Sequence, residues 1–144
     1  MNFTSYKTNA VYVLHWLWYW LPPLILMASI FYLSAQPDLP HAPEPWLDTL
    51  LKKLGHASEF AVLFLLFFRA WRQSRATRRA LGTAWLSTAA YALSDEMHQA
   101  FVPGRHANWY DVVIDVSGAL LLWWLLRGRC WRRLLHARDH DLTE

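Results

Sequence analysis

Cysteine is almost absent from the sequence. Cys130 is the one cysteine among 144 residues, so neither a disulfide framework nor a cysteine-ligated zinc site can form within the chain. A phosphate-cradling glycine loop and a Ser-His-Asp arrangement are also missing, as are internal repeats and low-complexity tracts. The length leaves room for a single domain, whose chemistry has to come from histidines, carboxylates and basic residues.

Charged residues are sparse and apolar residues abundant. Only 17% of the residues are charged, while 55% are hydrophobic and ten are tryptophan, which is more than a small soluble core needs. The formal net charge of +3 is compatible with nucleic-acid binding. The basic residues, however, flank apolar runs instead of lining one face, so we predict no nucleic-acid partner and an integral membrane protein in contact with membrane lipids.

Four apolar segments have the length of a membrane span, since about 20 helical residues cross about 30 Å of hydrocarbon. The first is too long for the apolar region of a signal peptide, so we expect a retained anchor helix, kinked at Pro22 and Pro23. Four prolines in residues 34–49 favour an extended loop after it. We predict one all-α, polytopic domain with a bundle of about four transmembrane helices, at residues 11–33, 50–71, 80–101 and 109–126, and a basic tail at 127–144.

Basic residues are distributed unevenly beside these segments. Ten arginines lie between the second and third segments or after the fourth. The opposite side has only Lys52, Lys53 and Arg105, together with eight carboxylates. Because loops rich in lysine and arginine stay in the cytoplasm, we predict that both termini and the tail are cytoplasmic.

Acid–base side chains gather where the second segment begins, the third ends and the fourth begins. The predicted topology places these three regions at the outer face of the membrane. Ionisable groups within a span usually face the bundle interior, pair with one another or line a wet cavity, and spacings of three or four keep them on one helix face. The residues are Lys53, His56 and Glu59; Asp95, His98 and Gln99; Asp111 and Asp115; and Arg105 in the turn above them.

These residues divide into two candidate roles. Imidazoles and carboxylates that share a buried site can exchange protons, so the candidate catalytic residues are His56, Glu59, Asp95 and His98. A guanidinium can hold a carboxylate or an anionic headgroup in bidentate geometry, as expected for Arg105. The candidate ligand-binding residues are Lys53, Gln99, Arg105, Asp111 and Asp115. Histidine and carboxylate at i and i+3 on two helices also fit a metal site, but the sequence assigns no metal and no cofactor.

Structural roles explain several of the same residues. Asn108 is a plausible N-cap of the fourth helix, and Asp111 in its first turn would favour the helix dipole. We expect Lys52 to extend to the membrane interface, Glu96 to face water and Gly118 to pack between helices. His56 with Glu59, and Asp95 with His98, are alternative structural pairs that would lock the helices together.

Three blocks of the sequence resemble the VanZ-like family of small membrane proteins, named for a protein linked to teicoplanin resistance. They are residues 34–36, 53–60 and 94–105, and residues 111–118 complete the pattern. The likeness covers roughly residues 31–122. The sequence departs from the pattern at Ala35, where a second serine is common, and at Asp115, where many members have asparagine. The second departure weakens the case for Asp115 as an ionised catalyst.

The resemblance implies a four-helix, multi-pass protein of the bacterial cytoplasmic (inner) membrane with a role in the cell envelope, but no settled reaction. The leading hypothesis is an outward-facing polar pocket that recognises a lipid-linked envelope precursor or a glycopeptide, as in teicoplanin resistance. The main rival is an acid–base or metal-dependent enzyme that acts on a lipid or envelope headgroup. The third is an assembly subunit of a membrane complex, in which the polar cluster only fixes helix packing. The sequence assigns no oligomeric state.

Overall fold

Four helices make up the part of the chain that the structure, a computed structural model, describes: residues 3–36, 42–73, 77–103, 105 and 108–140, with the backbone alone for 3–12 and 129–140. They are α1 (Phe3–Ser34), α2 (Pro45–Trp71), α3 (Thr77–Gln99) and α4 (Trp109–His140). No strand occurs in these ranges, so the all-α prediction is confirmed. Residues 37–41 of the predicted proline-rich loop, Arg75 and residues 141–144 of the predicted tail lie outside the described residues.

Three helix boundaries differ clearly from the predicted ones, and the first helix begins at Phe3 instead of residue 11. The second helix begins at Pro45, ahead of the expected residue 50, because proline needs no N–H partner in the first turn of a helix. Asp48 lies in the same turn, where a carboxylate favours the helix dipole. The fourth helix continues beyond residue 126, through the first part of the predicted tail, to His140.

The core lies along α2, which contacts each of the other three helices. Phe60, Leu63 and Phe64 are fully buried on it. The third helix faces them with small side chains, including Ala84 and Ala92, which let the helices approach closely. A Cβ atom at Gly118 of α4 would collide with the carbonyl oxygen of Ala57 on α2, so the predicted packing role of Gly118 is confirmed.

The succession of helices gives the bundle two chemically different ends. At one end, Trp20 meets Trp71 edge-to-face with 4.9 Å between ring centroids, and the Trp71 indole donates to Ser87 Oγ at 3.2 Å. That arginine-rich end carries Arg69, Arg72, Arg78, Arg79 and Arg127. The polar end combines the last turns of α1 and α3 with the first turns of α2 and α4, so it brings together the three stretches of acid–base residues identified in the sequence.

Two of the helices have the length and composition of membrane spans: α1 over Val13–Ser34 and α4 over Trp109–Gly128. The core helix of a soluble protein would be mostly buried, whereas only 17% and 11% of the most apolar parts of these two are buried within the structure. Large apolar side chains such as Leu14, Trp18 and Trp124 are each about two-thirds exposed. Apolar surface of this extent is typical of a helix that contacts a membrane or a partner protein.

Candidate functional site

The polar end contains a cavity of about 290 Å³ between α2, α3 and α4. Its lining combines cationic and anionic groups from separate parts of the chain, as the antiparallel order of the helices requires. Ile114 supplies an apolar wall, and Thr49 adds a hydroxyl near the start of α2. The predicted site residues that line it are Lys53, His56, Gln99, Arg105, Asp111 and Asp115.

His56 and Asp115 form the closest acid–base contact in this cavity. Nδ1 of the imidazole lies 3.3 Å from Oδ1 of the carboxylate, at ion-pair distance but without the alignment of a hydrogen bond. Only 2% of Asp115 is exposed, because it lies one turn deeper in α4 than Asp111 and next to the close approach of Gly118 and Ala57. With Nδ1 facing Asp115, Nε2 is the ring nitrogen left to meet a ligand.

Glu59 lies one turn farther along α2 and lines a smaller cavity of about 150 Å³ that extends toward Leu33 and Ser34 of α1. Lys52, His56 and Arg105 line both cavities. The alternative pair of His56 with Glu59 is not formed, since within the described residues His56 pairs with Asp115. The helix rotation that directs His56 toward α4 places Glu59 nearer to α1.

Asp95 bonds to Gln99, which lines the larger cavity, and only 1% of Asp95 is exposed. Its Oδ2 accepts hydrogen bonds from Ser34 Oγ at 2.8 Å and Gln99 Nε2 at 2.9 Å. The amide of Gln99 also reaches Ser34 Oγ at 3.3 Å, so the three side chains form a closed triangle between α1 and α3. Oδ1 has no hydrogen-bond partner among the described residues.

His98 is directed away from the other candidate acid–base residues. Its ring stacks on Phe31 of α1, with centroids 3.9 Å apart and an interplanar angle of 21°. It lines neither cavity, and its Nε2 is buried without a partner in the described part of the chain. The alternative pair of Asp95 with His98 is therefore not formed, because Asp95 bonds to Ser34 and Gln99 instead.

Arg105 fastens the end of α1 to the segment between α3 and α4. Its Nε and Nη2 donate to the carbonyl oxygen of Gln36 at 3.1 and 2.8 Å, and Nη2 also donates to that of Leu33 at 3.2 Å. Leu33 lies in the last turn of α1 and Gln36 lies just beyond it, a region where backbone acceptors lack helical partners and a cation is favoured. The guanidinium thus positions α1 while it lines both cavities.

The mouth of the larger cavity lies at the start of α4. Asn108 Oδ1 accepts from the backbone N–H of Tyr110 at 3.3 Å, so Asn108 caps the helix as predicted. Asp111 follows in the first turn, and its Oδ1 lies 3.9 Å from Lys53 Nζ of α2. Both side chains are exposed, so this ion pair stabilises the fold little and both charges are available to a ligand.

Several contributors to the site were not identified from the sequence. Glu96 is buried, not facing water as expected, and its Oε1 accepts the backbone N–H of Asn108. Lys52, expected to extend to the interface, lines both cavities and pairs with Asp48 at 2.7 Å. Ser34 belongs to a motif block of the sequence, and that membership could have identified it as part of the site. No sequence feature would have identified Thr49.

The described side chains contain no group of three or more histidine, cysteine, aspartate or glutamate residues that could hold a metal ion. The larger cavity is lined by lysine, imidazole, guanidinium and carboxylate groups. Cations and anions that face one cavity suit a ligand that itself carries charges of both signs.

The sequence model of the VanZ/LLP1 family matches residues 2–133. The chain belongs to the VanZ/LLP1 family. No curated protein and no solved structure matches the chain significantly. The matched range of this VanZ/LLP1 protein includes every residue of the two cavities, and it extends well beyond the motif blocks from which the VanZ-like resemblance was recognised.

Proposed function

We propose that this VanZ-like protein is a multi-pass protein of the bacterial cytoplasmic membrane that recognises a lipid-linked or glycopeptide-type envelope ligand. The observation that carries the proposal is the cavity of about 290 Å³ at the polar end, where Lys53, His56, Arg105, Asp111 and Asp115 meet. A protein that only fixed its own helix packing would have no need for exposed, oppositely charged groups around an open cavity.

The size of the cavity bears on which part of the ligand it takes. About 290 Å³ is near the lower limit for small-molecule sites, so it suits a charged headgroup or the end of a peptide, not an entire glycopeptide. Lys53 and Arg105 would meet phosphate or carboxylate, while Asp111 and Asp115 would meet an amine. A lipid tail could lie along the exposed apolar side chains of α1 or α4.

The membrane topology makes a separate prediction. In a Cys130→Ser background, a cysteine introduced by Glu44→Cys reacts with a membrane-impermeant maleimide on intact cells, whereas one introduced by Gln73→Cys reacts only after permeabilisation. The reason is that arginines beside α2 and α3 keep the end containing Gln73 in the cytoplasm. Labelling of Gln73→Cys on intact cells, or equal labelling of both, would overturn the four-span orientation.

The ligand prediction concerns two side chains that line the cavity, Lys53 and His56. We expect purified protein to bind a polyprenyl-pyrophosphate-linked envelope precursor or teicoplanin. The double variant Lys53→Gln with His56→Gln raises the dissociation constant by roughly tenfold or more, because hydrogen bonds to charged groups are lost. Native mass spectrometry in mild detergent measures this. The matched control is Ser58→Ala with Ser117→Ala. It removes hydroxyls of α2 and α4 whose hydrogen bonds, among the described residues, stay within their own helices, and it leaves binding unchanged. Equal binding by both double variants would refute the site.

One observation favours an enzyme as the second candidate. A buried carboxylate beside Nδ1 of a half-buried imidazole orients the ring and leaves Nε2 as a general base toward a substrate. In that case the purified protein converts the envelope precursor, and His56→Gln abolishes turnover while binding persists. A binder shows no turnover at all. An assembly subunit shows neither binding nor turnover and instead loses a co-purifying partner when the polar cluster is altered.

A further inference from the structure

The arginine-rich end of the bundle has a cavity of its own. It measures about 280 Å³ and is lined by Phe68, Arg69, Arg72 and Gln73, where α2 ends. None of these residues belongs to the polar site at the other end of the helix. The cavity therefore calls for its own explanation.

Both arginines of this cavity make cation–π contacts with aromatic rings. The guanidinium carbon of Arg69 lies 4.8 Å from the ring centroid of Tyr19 and 5.7 Å from that of Trp18, and Arg72 lies 5.7 Å from Phe68. Stacking occupies the flat face of a guanidinium and leaves the N–H donors at its edge free for an anion. The rings thus orient the two cations without neutralising them.

In the part of the chain that the structure describes, the lining of the cavity supplies hydrogen-bond donors and no anion. Among the described residues, neither Arg69 nor Arg72 forms an ion pair with a carboxylate. The side-chain oxygen of Gln73 contacts Nε2 of His15 at 3.2 Å, which leaves its amide N–H groups as further donors. Two guanidinium edges and an amide around one space, with an apolar wall from Phe68, suit a phosphate group attached to an apolar body.

We propose that this cavity binds the phosphate of an anionic phospholipid headgroup, in the leaflet that the arginine-rich end faces. The inference rests on the membrane placement in the proposed function but not on the ligand of the polar cavity. Anionic lipids of the cytoplasmic leaflet attract basic residues at this depth. In this arrangement the guanidinium groups of Arg69 and Arg72 donate hydrogen bonds to the phosphate. Gln73 adds a further hydrogen bond, and Phe68 contacts the glycerol and the first methylenes of the lipid.

Lipid titration of the full chain in mild detergent, followed by native mass spectrometry, tests the site. The probes are phosphatidylglycerol, phosphatidylcholine and inorganic phosphate. We expect one phosphatidylglycerol to bind in preference to phosphatidylcholine, and Arg69→Gln with Arg72→Gln to weaken its apparent affinity by at least about tenfold. The control, Arg79→Gln with Arg127→Gln, removes the same charge at the same end outside the cavity, and we expect a change below about twofold.

Three results would overturn the proposal: equal losses in the two double variants, equal binding of both lipids, or displacement of the lipid by millimolar inorganic phosphate, which would reveal a site for the free ion. If the double variant does not fold, Arg72→Gln alone carries the test, since Arg72 is exposed just after the last turn of α2, and about threefold weaker binding is expected. Lys53→Gln with His56→Gln leaves phosphatidylglycerol binding intact, so failure here is distinct from failure of the polar site.

Discussion

Replacing Gly118 with alanine lowers the free energy of unfolding by about 2–3 kcal/mol, because overpacking forces helices apart. The new Cβ would lie 2.9 Å from the carbonyl carbon of Ala57 and closer still to its oxygen. Both are backbone atoms of α2, so no side-chain rotation relieves the collision and the two helices have to separate. Reversible unfolding in mixed detergent micelles, followed by tryptophan fluorescence, measures the change.

The same substitution at Gly82 supplies a matched control. Gly82 lies within α3 and has open space around the position of a Cβ atom. Alanine there reduces the backbone entropy that folding removes, so Gly82→Ala stabilises the protein by about 0.5–1 kcal/mol. The two substitutions should therefore have opposite signs. Equal effects would mean that α2 and α4 do not approach as closely as the structure has them.

Replacing Asp95 with alanine lowers the free energy of unfolding by about 2–3 kcal/mol, since it leaves Ser34 and Gln99 buried without their shared acceptor and opens a void between α1 and α3. Asp95→Asn keeps a carbonyl oxygen in the same place and should cost less than about 1 kcal/mol. Unfolding of both variants in mixed micelles gives the comparison.

The pair of Asp95 variants also separates structure from chemistry. If Asp95 only ties α1 to α3, Asp95→Asn retains ligand binding or turnover together with stability. If Asp95 exchanges protons, Asp95→Asn folds normally and loses the chemistry, because an amide does not titrate. The losses from Ser34→Ala and Asp95→Ala should be less than additive in the double variant, since both remove the same bond. Strict additivity would contradict the triangle.

The sequence predicts the four helices because apolar runs of helical length alternate with turn residues and charges that mark where a helix ends. Asn108 illustrates how local chemistry defines a helix start, since its side chain caps α4 as expected. Pro45 illustrates the limit of such rules. A proline is disfavoured in a helix interior but favoured in the first turn of a helix. Whether it ends a loop or begins a helix therefore depends on the residues that follow it.

Membership of the polar cavity follows from the antiparallel order of the helices, but the pairing inside it does not. Spacing along α2 puts His56 and Glu59 on one broad face, yet His56 pairs with Asp115 on another helix. That choice depends on the rotation of α2 against α4, which the contact of Gly118 with Ala57 defines. Glu96 was misassigned because its partner is the backbone N–H of Asn108, 12 residues away, which spacing along α3 does not reveal.

The hydrogen bonds of Arg105 to the end of α1 connect ligand binding in the cavities with the position of that helix. The same guanidinium lines both cavities and holds the carbonyls of Leu33 and Gln36. An anion that competes for its N–H groups loosens α1, and one that accepts only the remaining donors leaves the grip intact. Ligand uptake and seating of α1 are thus linked equilibria. If a bound anion weakens the packing of α1 by some factor, the packing of α1 weakens anion binding by the same factor, because thermodynamic coupling is reciprocal.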